Sequence, residues 1–113
     1  MAFIDYNSVA EFEIWPGFTA RLFHSQQLTF GEVHITEGAM LPEHHHPHEQ
    51  FTRVVEGSIE FTIDGETRVL SAGMVAHMPP DVPHSARALT KVVVFDTFYP
   101  VRQDLKERVE GRG

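Results

Sequence analysis

Along most of the chain, apolar and polar residues alternate in short runs. A proline or glycine interrupts them roughly every ten residues, the rhythm of short strands and turns in an all-β sandwich or barrel. These breaks run from Gly17 and Gly31 through Gly57, Gly65 and Gly73 to Pro100. The clearest run is SIEFTIDGETRVL, where Ile59, Phe61 and Ile63 alternate with polar residues. Asp64-Gly65 then carries a type I′ turn signal, and Thr67 to Leu70 supplies the returning strand. QLTFGEVHITEG and KVVVFDTFYP predict two longer strands, and only the tail, RQDLKERVEGRG, reads as helical or frayed. The pattern predicts a small antiparallel β domain.

Composition narrows the class. A length of 113 residues fits one domain spanning 1–113. Apolar residues make up 42% of the chain, with nine Phe, enough for an ordinary globular core. Cysteine is absent, which excludes disulfides and thiolate ligands and fits a reducing cytosol, so a cytoplasmic location is expected. MAFIDYNSVAEFEIW has neither a basic start nor an unbroken apolar stretch, and no run approaches the roughly 20 residues needed to cross a bilayer. The formal charge of −7 argues against a nucleic-acid partner. It also disfavours long-range attraction of an anionic ligand.

The candidate chemistry sits in HHHPHEQ, His44 to Gln50. Residues two apart in a strand share a face, so His44 and His46 point together and His45 points away. Gln50 has the same parity, although Pro47 interrupts the strand. The internal position and Pro47 argue against a tag. A metal site and a solvated His-rich loop both remain open on this stretch alone. His84, after the rigid turn MPPDVPH, is a second candidate. His24, His34 and His77 read as ordinary surface or core residues.

A larger frame joins the two stretches: Gly38, His44-x-His46, Gln50 and Gly57, then Gly73, Pro79 and His84. It resembles the two motifs of the cupin superfamily, with an intermotif spacing of 15 residues. The resemblance implies an all-β cupin-type double-stranded β-helix, a jelly-roll barrel with a short C-terminal tail. It further implies one divalent transition metal held by His44, His46, Gln50 and His84. Three departures stand out. Gln50 replaces the usual acidic ligand, Asp81 replaces a glycine, and Ala88 stands where an asparagine is usual. Four neutral donors leave the ion its full charge, and nitrogen with oxygen donors suits Zn, Ni, Fe or Mn. His48 is expected behind the ligands or at the rim, and Glu49 as a carboxylate orienting a ligand imidazole.

Cupins host many reactions, so the fold does not give the function. In VVVFDTFYPVRQDL, parity leaves two registers open: Val92, Val94, Asp96 and Phe98 inward, or Val93, Phe95 and Thr97 inward. HHHPHEQ, GSIEFTIDGET, PPDVPHSARAL and DTFYPVRQDL together are similar to the KdgF family of small cupins, from about Gly17 to Leu105. That resemblance selects the first register. It implies metal-dependent opening of 4,5-unsaturated monouronates, products of pectin and alginate breakdown, to linear 5-keto-4-deoxyuronates. The implied catalytic and substrate positions are Asp96, Arg102, Gln50 and Phe98, and the implied ligand is a small anionic sugar. The alternatives are another metal-dependent cupin enzyme, such as an Fe(II) dioxygenase or sugar isomerase, and a non-catalytic small-molecule-binding cupin. Cupins commonly pair through their sheets, so a homodimer is also expected.

Overall fold

The computed structural model describes residues 2–110. Met1 and residues 111–113, the end of the tail, lie outside the described residues. After a 3-10 turn at Tyr6–Ser8 the described chain forms β1 (Phe12–Trp15), β2 (Phe18–His24), β3 (Thr29–Ile35), β4 (Met40–His44) and β5 (Glu49–Glu56). It continues through β6 (Ser58–Ile63), β7 (Glu66–Ser71), β8 (Val75–Met78), β9 (His84–Ala88), β10 (Val92–Tyr99) and α1 (Gln103–Glu110). Every pairing is antiparallel. One sheet has six strands in the order β1-β2-β3-β10-β5-β8, and the other has four in the order β4-β9-β6-β7. The two pack face to face as a jelly roll. No helix among the described residues is long and apolar enough to cross a membrane.

Alternation places the core. Ala20 and Leu22 from β2, Val33 and Ile35 from β3, and Val92 and Val94 from β10 meet Ile59, Phe61 and Ala86 of the opposing sheet. The predicted hairpin forms with Ile63 opposite Glu66, and Asp64 and Gly65 both take positive φ (50° and 81°), as a type I′ turn requires. The tail resolves as a helix as far as Glu110. Leu105 inserts into the core at 6% exposure, which anchors α1 across one end of the sandwich.

Gly31 shows why one strand position admits no side chain. In β3 it pairs with Leu22 of β2 and Asp96 of β10. A Cβ there would collide with the Arg21 carbonyl oxygen and stand 2.9 Å from the Leu22 Cα. Backbone cannot yield as a flexible side chain can, so Gly31→Ala should cost about 3 kcal/mol, the upper end of overpacking penalties. The measurement is urea unfolding, where the midpoint falls with an unchanged slope. An unchanged midpoint would contradict the close approach.

Candidate metal centre and adjoining cavity

The site forms where the ends of the two sheets meet. In the four-stranded sheet, β4 and β9 pair with His44 opposite His84, which brings the rings to 4.2 Å between centroids. His46 lies just beyond β4, and its carbonyl accepts the Asp81 amide at 2.8 Å, tying the two histidine-bearing loops together. Asp81, standing where a glycine is usual, keeps a positive φ of 63°, a conformation that Asp tolerates better than most residues. The ligating atoms of His44, His46 and His84 lie within 4.8 Å of one another.

Backbone carbonyls fix the tautomers. A carbonyl oxygen only accepts, so each histidine that bonds one donates from Nδ1. His44 Nδ1 donates to the Pro42 carbonyl (2.8 Å), His46 Nδ1 to that of His48 (3.0 Å) and His84 Nδ1 to that of Val82 (2.9 Å). All three Nε2 atoms therefore carry lone pairs. Burial pushes the His84 pKa down to about 4, and burial followed by the Arg102 charge lowers that of His46. Both shifts favour the neutral ring at His46 and His84. Beside them Gln50 Oε1 stands 3.1 Å from His46 Nε2. Gln50 Nε2 meanwhile donates to Thr52 Oγ1. Two lone pairs then face each other, an arrangement that a shared cation relieves. The donor set fits a divalent transition metal.

On the six-stranded side, β5 and β10 pair with Gln50 opposite Phe98 and Thr52 opposite Asp96. A polar line results. Thr52 Oγ1, accepting from Gln50 Nε2 at 2.9 Å, donates to Asp96 Oδ1 at 2.6 Å. Burial outweighs that hydrogen bond and the Arg102 charge, and the Asp96 pKa is pushed up to about 6. Of the two registers parity allowed, Asp96 and Phe98 face inward and Thr97 faces solvent. The Phe98 ring packs on His46 (5.9 Å between centroids) and lies 4.7 Å below the Arg102 guanidinium. Asp104 binds that guanidinium at Nε (3.0 Å) and Nη2 (2.9 Å), and the contact holds the Asp104 pKa below the usual range. All of these groups line one cavity of about 420 Å³, walled by apolar residues such as Leu22, Val33 and Phe61.

The residues expected as metal ligands, catalytic groups or substrate contacts all line this cavity: His44, His46, Gln50, His84, Asp96, Phe98 and Arg102. Others do not. His45 faces out, 3.8 Å from Asp81. His48 packs its ring against His46 at 5.4 Å, behind the ligands. Glu49 departs from expectation: it points to the opposite face and bonds exposed His77 at 2.7 Å, so it orients no ligand imidazole. Parity requires this, because Glu49 neighbours inward-facing Gln50 in β5. Sequence reasoning missed Thr52 and Asp104. Thr52 was findable, since it shares the face of Gln50 one step along β5. Asp104 gave no periodic signal.

The chain matches the cupin domain family over residues 31–98. It is a cupin. Within the family this cupin is similar to the pectin degradation protein KdgF of Dickeya dadantii (strain 3937), 36% identical over 74 residues, 64% of this chain and 67% of that protein. Among solved structures it is similar to KdgF from a Halomonas species, with a TM-score of 0.85 and 30% identity, covering 93% of this cupin and 98% of the other. An RmlC-like cupin from Shewanella frigidimarina NCIMB 400 gives a TM-score of 0.86 at 30% identity, covering 93% and 96%.

Proposed function

We propose that this cupin opens the ring of 4,5-unsaturated monouronates released from pectin or alginate, yielding linear 5-keto-4-deoxyuronates. The observation that carries the reading is a buried carboxylate, Asp96, at the end of a polar line beside three convergent histidine lone pairs in an apolar cup. Similarity to KdgF supports the substrate class.

The reaction is an isomerisation. The anomeric hydroxyl loses its proton, and its electrons form the C1 carbonyl as the C1–ring-oxygen bond breaks. The ring oxygen leaves as the enolate of the C4–C5 double bond, and a proton added at C4 gives the 5-ketone. In this reading Asp96 moves the proton. Burial pushes its pKa up to about 6 in the metal-free protein, within reach of both taking and returning a proton near neutral pH, and a bound cation would draw it down from there. Gln50, anchored through Thr52, orients the substrate. Phe98 supplies a flat apolar wall for the unsaturated ring, and Arg102 holds the sugar carboxylate. A divalent metal held by His44, His46, Gln50 and His84 would supply Lewis acidity, stabilising negative charge that develops on the sugar oxygens. A bound divalent ion together with Arg102 would also answer the charge problem, setting positive charge inside the cup against the Asp96 and Asp104 carboxylates while the outside stays acidic.

The test is loss of the ultraviolet absorbance of unsaturated galacturonate and, separately, of the alginate-derived sugar, with metal-loaded protein. Absorbance should fall without oxygen uptake. Oxygen consumption would point to a dioxygenase, and binding without turnover to a sensing domain. Arg102→Ala should raise KM roughly 10- to 100-fold, the value of a lost charged hydrogen-bond pair. An unchanged KM would remove Arg102 from substrate binding.

A further inference from the structure

Arg102 is placed against local preference. Its carbonyl accepts from the Lys106 amide at 3.0 Å, which makes it the residue that caps the start of α1. Helices favour Ser, Thr, Asp or Asn there, and a cation next to the positive end of the helix dipole is disfavoured. The guanidinium is nevertheless held on two sides, and the main chain behind it is pinned. Phe98 lies under its face, Asp104 takes its Nε/Nη2 edge, and the backbone amide of Arg102 is fixed to Thr29 Oγ1 at 2.9 Å. The Arg102 side chain is only 15% exposed, whereas that of Asp104 is 56% exposed. A guanidinium has five N–H donors, and two are committed to Asp104. The two on Nη1 and the second on Nη2 have no partner among the described residues.

We infer that Asp104 is a positioning residue for Arg102: by occupying one edge of the guanidinium it locks the plane over Phe98 and reserves the other edge for a sugar carboxylate. The identity of that sugar rests on the ring-opening reading, but the arrangement of the pair does not. An aspartate two residues after Arg102, in the first turn of α1, is short enough to meet the guanidinium side-on. It also offsets the unfavourable charge at the helix start.

The experiment compares wild type, Asp104→Ala, Asp104→Asn, Arg102→Ala and the double variant Asp104→Ala/Arg102→Ala. Two quantities are read: calorimetric binding of D-galacturonate, a saturated sugar that the reaction cannot consume, and KM and kcat for the unsaturated uronate. Asp104→Ala should weaken galacturonate binding and raise KM about tenfold, with a much smaller fall in kcat, and should add nothing in the Arg102→Ala background. Asp104→Asn keeps the size and the helix-facing acceptor but opposes one guanidinium N–H with its own amide, so it should behave like Asp104→Ala. An equal loss in both backgrounds would reduce Asp104 to a helix-stabilising acid and overturn the inference. Coupled binding losses without any turnover would sustain the inference while refuting the ring-opening reaction. Wild type that neither binds nor turns over overturns both.

Discussion

Asp96→Asn is expected to abolish proton transfer and, in the metal-free protein, to raise stability. Asparagine keeps the shape and the hydrogen bond accepted from Thr52, but it cannot take or return a proton at the sugar. Removing a positioned acid–base group of this kind typically lowers kcat by roughly 10²- to 10⁴-fold. Stability moves the other way because the carboxylate is only 8% exposed, and the Thr52 hydroxyl, the Arg102 charge and the Gln50 amide together do too little to offset its lost hydration. The sign with pH follows from the raised pKa. Asp96 favours the folded state fully below its unfolded pKa near 4, and that contribution is lost as pH rises through about 6. The variant's advantage is therefore absent below pH 4, grows between pH 4 and 6, and levels off above at about 2–3 kcal/mol. Thermal melts of both metal-free proteins from pH 4 to 8 measure it. A variant no more stable at pH 7, or one that still turns over at the wild-type rate, would remove Asp96 from this role.

The opposition between activity and stability explains which parts of the protein were legible in the sequence. The barrel was, because period-2 alternation and turn chemistry agree with the tertiary packing: Ile59 and Phe61 are buried as read, and Asp64-Gly65 turns as read. The histidines were legible only through the two-motif frame: parity left a solvated loop open, and His46 lies beyond the end of β4. For β10, alternation alone was not enough. Val92, Val93 and Val94 are all buried, so the apolar pattern fits either register, and Asp96 on the inner face runs against it. Local rules fail at three further points, each beside the cavity. Asp81 takes a glycine conformation, Arg102 caps a helix, and Thr52 is buried at 1% exposure with its hydroxyl bonded on both sides. The buried polar residues Thr29, Gln50, Thr52, His84 and Asp96 all lie in or against this one site. Periodicity puts Thr52 on the face of Gln50 but does not announce its bond to Asp96, and it says nothing of Asp104, because their partners come from another strand or from a turn whose geometry depends on the packed barrel.

His84→Ala is expected to cost the protein its metal and, with it, both activity and metal-dependent stability. His84 is the most buried of the three imidazoles and sits opposite His44 in the β4–β9 ladder, so its loss leaves two rings and an amide to hold an ion. Wild-type protein should gain about 4 kcal/mol of stability when free metal exceeds Kd a thousandfold. His84→Ala should lose most of that gain, about 1.4 kcal/mol for each tenfold rise in Kd at the same free metal. Without metal the comparison differs. Removing a buried imidazole leaves a cavity between β4 and β9, yet it also removes a polar ring whose Nε2 has no donor among the described residues, so the two effects partly cancel. Melting temperatures with Zn, Ni, Fe(II) and Mn titrated in turn, against a chelated control, separate these contributions and rank the ions. Wild type that melts at one temperature in every titration and in chelator would mean that the three lone pairs gather no cation, and His84→Ala would then serve as the control showing why they converge without one.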